Sequence, residues 1–366
     1  MNNWKLVKLN FGNSPAHFGE LGIGIEQTSE RVRSDTLFSA WISAYARLFG
    51  KQSVEQLLLR FLNTSPPVTM SSTFVYRYHD NRDIYYLPRP LKFPPNYPAG
   101  DGDLDFFKAY KKISYLPLAV WHKWYQIEGF TIEDRQELID ETNKKKSHGF
   151  LHKQGIFDYK EAFKICREPK IAVDRLTRAT NFYHTGFVQF QWEQDGNDIK
   201  SRSGLYFLLN FFQKDETLES QLYAALQLLG EEGIGGERSS GAGHFEAEWL
   251  PLPEMWQKVV DFPASQYTLI SLFWEDDPLI LKQLITENKE ACYEIIERGG
   301  WISGQQLRRK MLRMFVEGSV FSSSPLGKIA DVTPYQLIDS KTNKPKQHPI
   351  YRSGISLSLP IKVKSE

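Results

Sequence analysis

The chain has 366 residues, is 41% hydrophobic and 24% charged, and so has apolar material for more than one core in a globular protein. Forty-five Lys and Arg against 44 Asp and Glu leave a formal charge of +1, so no overall basic excess marks a nucleic-acid binder. Two cysteines, Cys166 and Cys292, exclude a multi-bridge disulfide framework and a cysteine-built zinc cluster.

The near-neutral total conceals segregation. Residues 1–214 hold 29 basic and 23 acidic side chains, residues 215–297 hold 4 and 17, and residues 298–366 hold 12 and 4. Fields act over about 8–10 Å in physiological salt, so local sign matters more than the sum. One face is thereby suited to an anion and another to a basic partner, unless the middle segment is simply a set of solvated acidic helix faces.

In chain order, Lys5 to Phe11 alternates, with Val7, Leu9 and Phe11 on one side, and predicts a half-buried strand. A loop containing Gly12, Gly19, Gly22 and Gly24 follows, then Ser34 or Asp35 as the N-cap of a helix built on Leu37, Trp41, Ala44, Tyr45 and Leu48, with Gly50 as its stop. Met70 to Tyr78 has the β-branched and aromatic content of a strand, and five prolines between 87 and 100 mark an irregular excursion. Residues 101–170 mix short helical patterns with a lysine run at 144–146, expected to be a solvated loop.

A second unit is expected from Thr185: strands at 185–192 and 203–212, a helix over 215–229 on Leu218, Leu222, Leu226 and Leu229, and strands near 243–250 and 267–274. A helix near 278–289, a strand at 292–302 and β-rich segments to Pro360 complete the chain. The pattern predicts an α+β protein with two ferredoxin-like, RRM-like domains, residues 1–175 with Pro-rich and Lys-rich insertions and residues 176–366 with a glycine-rich loop at 230–243. The longest apolar block, Leu205 to Phe212, is far shorter than a membrane span and the N-terminus lacks a signal-peptide organisation, so a cytoplasmic protein is expected.

Gly230 to Gly243 holds six glycines in fourteen residues. Glycine lets successive backbone amides converge on a phosphate, and Arg238, Ser239 and Ser240 add a forked cation and two hydroxyl donors. The loop lacks the Gly-Lys-Ser/Thr of a phosphate-binding Walker loop and follows a helix instead of a strand, which argues against ATP or NAD. The alternative is a glycine-rich helix end and return with no ligand, and Glu231, Glu232 and Glu237 oppose an anion there. A second candidate anion site is the run from His17-Phe18-Gly19 through Arg31 and Arg33 to Ser34 and Asp35 at a helix N-terminus, where Asp35 as a cap competes for the same amides. His148 and His152 are four apart but flanked by Gly149 and Gly155, so no metal site is expected. Thr185 to Phe190 lacks the lead basic residue of an RNP strand, and no nucleophile elbow is present.

Four segments, His17-Phe-Gly, Ser34-Asp-Thr-Leu-Phe-Ser-Ala40, Gly233-Ile-Gly-Gly-Glu-Arg-Ser-Ser-Gly-Ala-Gly-His-Phe245 and Met314-Phe-Val-Glu-Gly-Ser-Val-Phe321, resemble the 5′-tag-binding RAMP-superfamily subunit of type III-A CRISPR (Csm) effector complexes. Tyr351-Arg-Ser-Gly354 is similar to that family's last strand, while residues 79–170 match nothing assignable. The resemblance implies two ferredoxin-like domains that grip the 5′ tag of the guide crRNA, cap a filament of RAMP backbone subunits and dock the large polymerase-palm subunit, with no cofactor and no catalysis by this chain. Carried over, the RNA-binding residues would be His17, Phe18, Gly19, Ser34, Asp35, Gly233, Gly235, Gly236, Arg238, Ser239 and Ser240, with Arg175 and Arg178 on a hairpin extended toward the guide, and the anion-site reading adds Arg31 and Arg33. The competing expectation is a metal-independent RAMP endoribonuclease that cleaves repeat RNA, with His17 or His244 as general acid or base.

Overall fold

The first strand, β1 (Trp4–Asn10), sends Val7 and Leu9 to one face of a sheet and Leu6 to the other, all fully buried. This computed structural model describes residues 3–364 except 21–23, 99–103, 146–147, 196–197, 288–290, 303–306, 340–341, 343 and 347. Continuing along the chain are α1 (Ser34–Leu62), β2 (Val68–Met70), β3 (Phe74–His79), β4 (Arg82–Pro88), α2 (Leu104–Lys112), β5 (Tyr115–Pro117), α3 (Leu118–His122), α4 (Ile132–Thr142) and α5 (Phe150–Lys153). Then come β6 (Phe163–Val173), β7 (Thr180–Phe190), β8 (Trp192–Asp195), β9 (Asp198–Phe211), α6 (Glu216–Glu232), β10 (Glu246–Pro251), α7 (Glu254–Val260), β11 (Gln266–Leu269) and α8 (Pro278–Lys282). Six strands end the chain: β12 (Ile295–Arg298), β13 (Leu312–Phe315), β14 (Val320–Phe321), β15 (Ile329–Asp331), β16 (Tyr351–Ser353) and β17 (Ser358–Ile361).

The main sheet runs β10-β1-β9-β3-β4-β5, with β2 and β8 also paired to β9. Its first four strands, antiparallel throughout and linked by α1 and α6, have the order of one β-α-β-β-α-β unit. Strand pairing therefore crosses the boundary expected at 175/176, because both partners of β1 lie beyond it. The chain after β10 adds a three-stranded sheet, β14-β11-β17, and the two-stranded ladders β12-β13 and β15-β16.

The sheet is buried on both faces. On one, Val7, Leu9, Val75, Leu205, Phe207 and Leu209 pack under α1 and α6, whose Leu37, Trp41, Leu218, Leu222, Leu226 and Leu229 recur at helical spacing. Trp41 donates its indole N–H to the Leu222 carbonyl at 2.8 Å, locking the two helices together. Gly50 (φ 81°) kinks α1 and does not end it. On the other face Leu6, Phe74, Tyr76, Tyr206 and Leu208 meet an aromatic layer that includes Phe106, Tyr110, Trp121, Trp124 and Phe130. Ile270, Val320, Leu359 and Ile361 join this second core, so the C-terminal strands are welded to the central sheet.

Candidate nucleic-acid interface

Three segments distant in sequence meet at one end of the sheet. The N-terminal loop after β1 exchanges two 2.8 Å backbone hydrogen bonds between Ala16 and Val188 of β7. One residue on, the His17 carbonyl accepts from the Gly236 amide at 2.9 Å, and the Pro15 carbonyl accepts from Gly243 at 2.8 Å. The loop is thus sewn to the hairpin on one side and to the glycine cluster on the other. The buried His17 ring places Nδ1 2.7 Å from the Gly186 carbonyl oxygen. A carbonyl can only accept, so Nδ1 carries the proton.

The glycines permit this close approach. A Cβ on Gly236 would lie 2.7 Å from Cδ2 of His17, and Gly235, at φ 98°, would place one against the His17 carbonyl oxygen. Past this contact, Glu237 adopts a left-handed backbone (φ 59°) that leads into the short 3-10 turn Arg238–Ser240. Among the described residues, no backbone carbonyl accepts from the amides of Glu237, Arg238 or Ser239. Ser239, Ser240 and Arg238 are exposed, and Arg238 has no carboxylate partner among the described residues. The opposing glutamates are largely answered: Glu237 binds Lys170 of β6 and accepts from Ser240 Oγ at 3.4 Å, and Glu232 binds Arg47 of α1.

The hairpin β6-β7 pairs residue by residue from Phe163↔Phe190 to Val173↔Thr180. At its tip Asp174 Oδ1 accepts from the amides of Leu176 (2.9 Å) and Thr177 (2.7 Å) and from the Thr177 hydroxyl. The Thr177 and Leu176 bonds hold this carboxyl below its usual range. Arg175 and Arg178 are exposed on the tip. With about 3.3 Å per residue, Arg175 stands up to roughly 17 Å beyond Lys170, which touches the glycine loop. The structure therefore gathers His17, Phe18, Gly19 and the 233–240 residues at one place and sets Arg175 and Arg178 farther out.

Arg31, Arg33, Ser34 and Asp35 are placed differently from the expectation that they face RNA. Arg31 and Arg33 are taken by Glu317, a carboxylate 1% exposed, with Arg31 Nη1 and Nη2 at 3.0 and 3.1 Å and Arg33 Nη1 at 2.5 Å. Arg33 Nε also reaches Glu20 at 3.0 Å. Burial works against ionisation of Glu317, but the two guanidiniums outweigh it and hold the carboxyl far below its usual range. Fully buried Asp35 binds Arg298 Nε (2.9 Å) and Nη2 (3.0 Å) and also Arg352, and the two cations depress its pKa despite burial. Neither Ser34 nor Asp35 caps α1, which starts after Arg33 with no side-chain cap. Ser34 Oγ instead accepts from the Leu272 amide at 3.0 Å.

The pairs made with Glu317, Arg298 and Arg352 were missed from sequence because those partners lie 263 to 317 residues away from Arg31, Arg33 and Asp35. A signal was present: Glu317 and Arg352 are lone charges inside apolar or small-residue motifs, Phe-Val-Glu-Gly and Tyr-Arg-Ser-Gly. Charges in such positions are buried only when paired. Among the described residues, no group of three or more His, Cys, Asp or Glu is placed to hold a metal, and no helix is long and apolar enough to cross a membrane.

Residues 263–361 match the family model of the CRISPR Csm4 C-terminal domain. Over nearly its whole length the chain is also similar to proteins named Csm4. It is 27% identical to that of Methanocaldococcus jannaschii over 97% of this chain and 96% of the relative, and 25% identical to that of Thermococcus onnurineus over 81% and 83%. The fold is similar to a chain in the crystal structure of a Csm3-Csm4 subcomplex of the type III-A CRISPR-Cas interference complex, with TM-score 0.57 and 20% identity over 98% of this chain and 99% of the other. The motif resemblance to a Csm subunit is thus met by the family model and by the relatives named Csm4, and the solved Csm3-Csm4 chain shares the fold.

Proposed function

We propose that this chain is a non-catalytic Csm4-type subunit of a type III CRISPR effector complex that binds the 5′ tag of the guide crRNA and bridges the large polymerase-palm subunit to the RAMP backbone subunits. The observation that carries the reading is the meeting of the His17 loop, the glycine loop and the root of the β6-β7 hairpin, where Arg238 is exposed and, among the described residues, no backbone carbonyl accepts from the amides of residues 237–239. Amides and a guanidinium hold phosphates whatever the base sequence, leaving splayed bases to be read by edge contacts and stacking. Arg175 and Arg178 would meet the guide farther along. Arg31, Arg33, Ser34 and Asp35 support this surface from beneath by fixing the loop to the C-terminal region. A cytoplasmic complex follows from this reading, and the acidic stretch 215–297 supplies complementary charge for a basic subunit surface.

Co-expression with a CRISPR array, purification of the assembled complex and sequencing of its RNA tests the proposal. Tagged crRNA is expected, and a complex that assembles with this chain but protects no 5′ tag would sink it. Arg238→Ala is expected to lower the salt slope of tag-RNA binding by about 0.7 to 0.9. Metal-independent cleavage of repeat RNA in EDTA, lost in His17→Ala or His244→Ala, would replace the scaffold reading with a nuclease.

A further inference from the structure

We propose that Trp301, Arg308 and Lys310, together with Tyr335, form a second contact surface for single-stranded RNA, separate from the glycine loop and hairpin. Between Arg298 and Arg313 the sequence has five basic residues and no acidic one. Trp301 and Arg308 face each other in an antiparallel bridge, and the Arg308 guanidinium lies over the Trp301 ring at 4.5 Å. Two residues on, Lys310 Nζ lies over the Tyr335 ring, also at 4.5 Å. Both rings remain open to solvent, Trp301 at 45% and Tyr335 at 78% exposure. Among the described residues no carboxylate pairs with Arg308 or Lys310.

The intervening Arg309 turns inward, toward Arg352 and Asp35, and among the described residues its buried Nε has no hydrogen-bond partner. Arg298, Arg309 and Arg352 thus outnumber Asp35 and Glu20, leaving positive potential beneath this surface. Exposed aromatic rings beside cations that no carboxylate claims among the described residues suit alternating bases and phosphates, because every base has a face to stack and every linkage carries a charge. An acidic protein surface would satisfy the cations but gives the rings no matching role. Only the class of ligand rests on the function proposed above.

The test uses the full chain, a fluorescent oligouridine of about 12 nucleotides and fluorescence anisotropy from low to moderate salt. Trp301→Ala and Tyr335→Ala are each expected to weaken oligouridine binding about tenfold, while Trp301→Phe retains it. Arg308→Ala/Lys310→Ala is expected to lower the salt slope by about 1.4. Thermal melts of each variant establish that it folds. The inference is overturned if wild type shows no oligouridine binding at low salt, if the folded aromatic variants bind like wild type, or if they lose subunit co-purification with RNA binding intact. Arg238→Ala run against tag RNA separates the two ideas: failure of that arm alone refutes the glycine-loop site and leaves this one standing.

Discussion

Glu317 is the most consequential buried charge, and its removal can be worked through. Glu317→Gln keeps the shape of the side chain but leaves Arg31, whose side chain is 8% exposed, and Arg33, 17% exposed, facing a neutral amide. Breaking a buried pair in this way costs about 3–5 kcal/mol, because the desolvated cation keeps its penalty and loses its compensation. Tyr115 retains a 2.7 Å bond from Arg31 Nε and Glu20 retains Arg33, which places the expected loss near the lower half of that range. At roughly 2.1 cal/mol/K of unfolding entropy per residue, a loss of about 4 kcal/mol lowers Tm by about 5 °C if the 366-residue chain unfolds as one unit. The sign with pH follows from the depressed pKa. The stabilisation is fully present above the unfolded carboxylate's pKa of about 4.3 and fades as pH falls below it, so wild type and Glu317→Gln converge toward acid. Differential scanning calorimetry from pH 7 down to about pH 2 measures both effects. A Tm change under about 1 °C at pH 7, or a gap that widens toward acid, would refute the assignment of Glu317 as the anchor of this cluster.

Asp35→Asn, which strips the shared carboxylate from Arg298 and Arg352, is expected to cost about 3–5 kcal/mol in chemical denaturation. In a double-mutant cycle with Arg298→Gln the losses should be clearly non-additive, and additivity would show that the pair is not coupled. Gly235→Ala drives a Cβ into the His17 carbonyl at φ 98°, so it should detach the N-terminal loop, seen as faster amide exchange at Gly236; unchanged protection there would refute the close-approach argument. Lys170→Ala unmasks Glu237 beside the proposed phosphate site and should weaken tag-RNA binding, whereas Lys170→Ala/Glu237→Gln should recover most of the loss. Equal affinities for the single and double variants would show that the Glu237 charge is irrelevant to RNA.

Sequence alone determined what depends on local periodicity and local backbone freedom. Val7 and Leu9 alternate as a strand must, and Leu218, Leu222, Leu226 and Leu229 trace the buried stripe of α6. The glycine cluster reads as a phosphate clamp or a ligand-free return, and its motif is one of four that carry the resemblance met by relatives over nearly the whole chain. Tertiary structure decided which segments share a sheet: β1 is completed by β9 and β10, some 200 residues later, because strand pairing depends on space and not on chain order. It also decided what the charges do. Arg31 and Arg33 have the same cationic chemistry as Arg238, and only the arrival of Glu317 at the N-terminal loop turns them into internal struts while Arg238 stays open to solvent. A side chain's charge is written in the sequence, but whether a distant partner or the solvent claims it is settled by the packing of the folded chain.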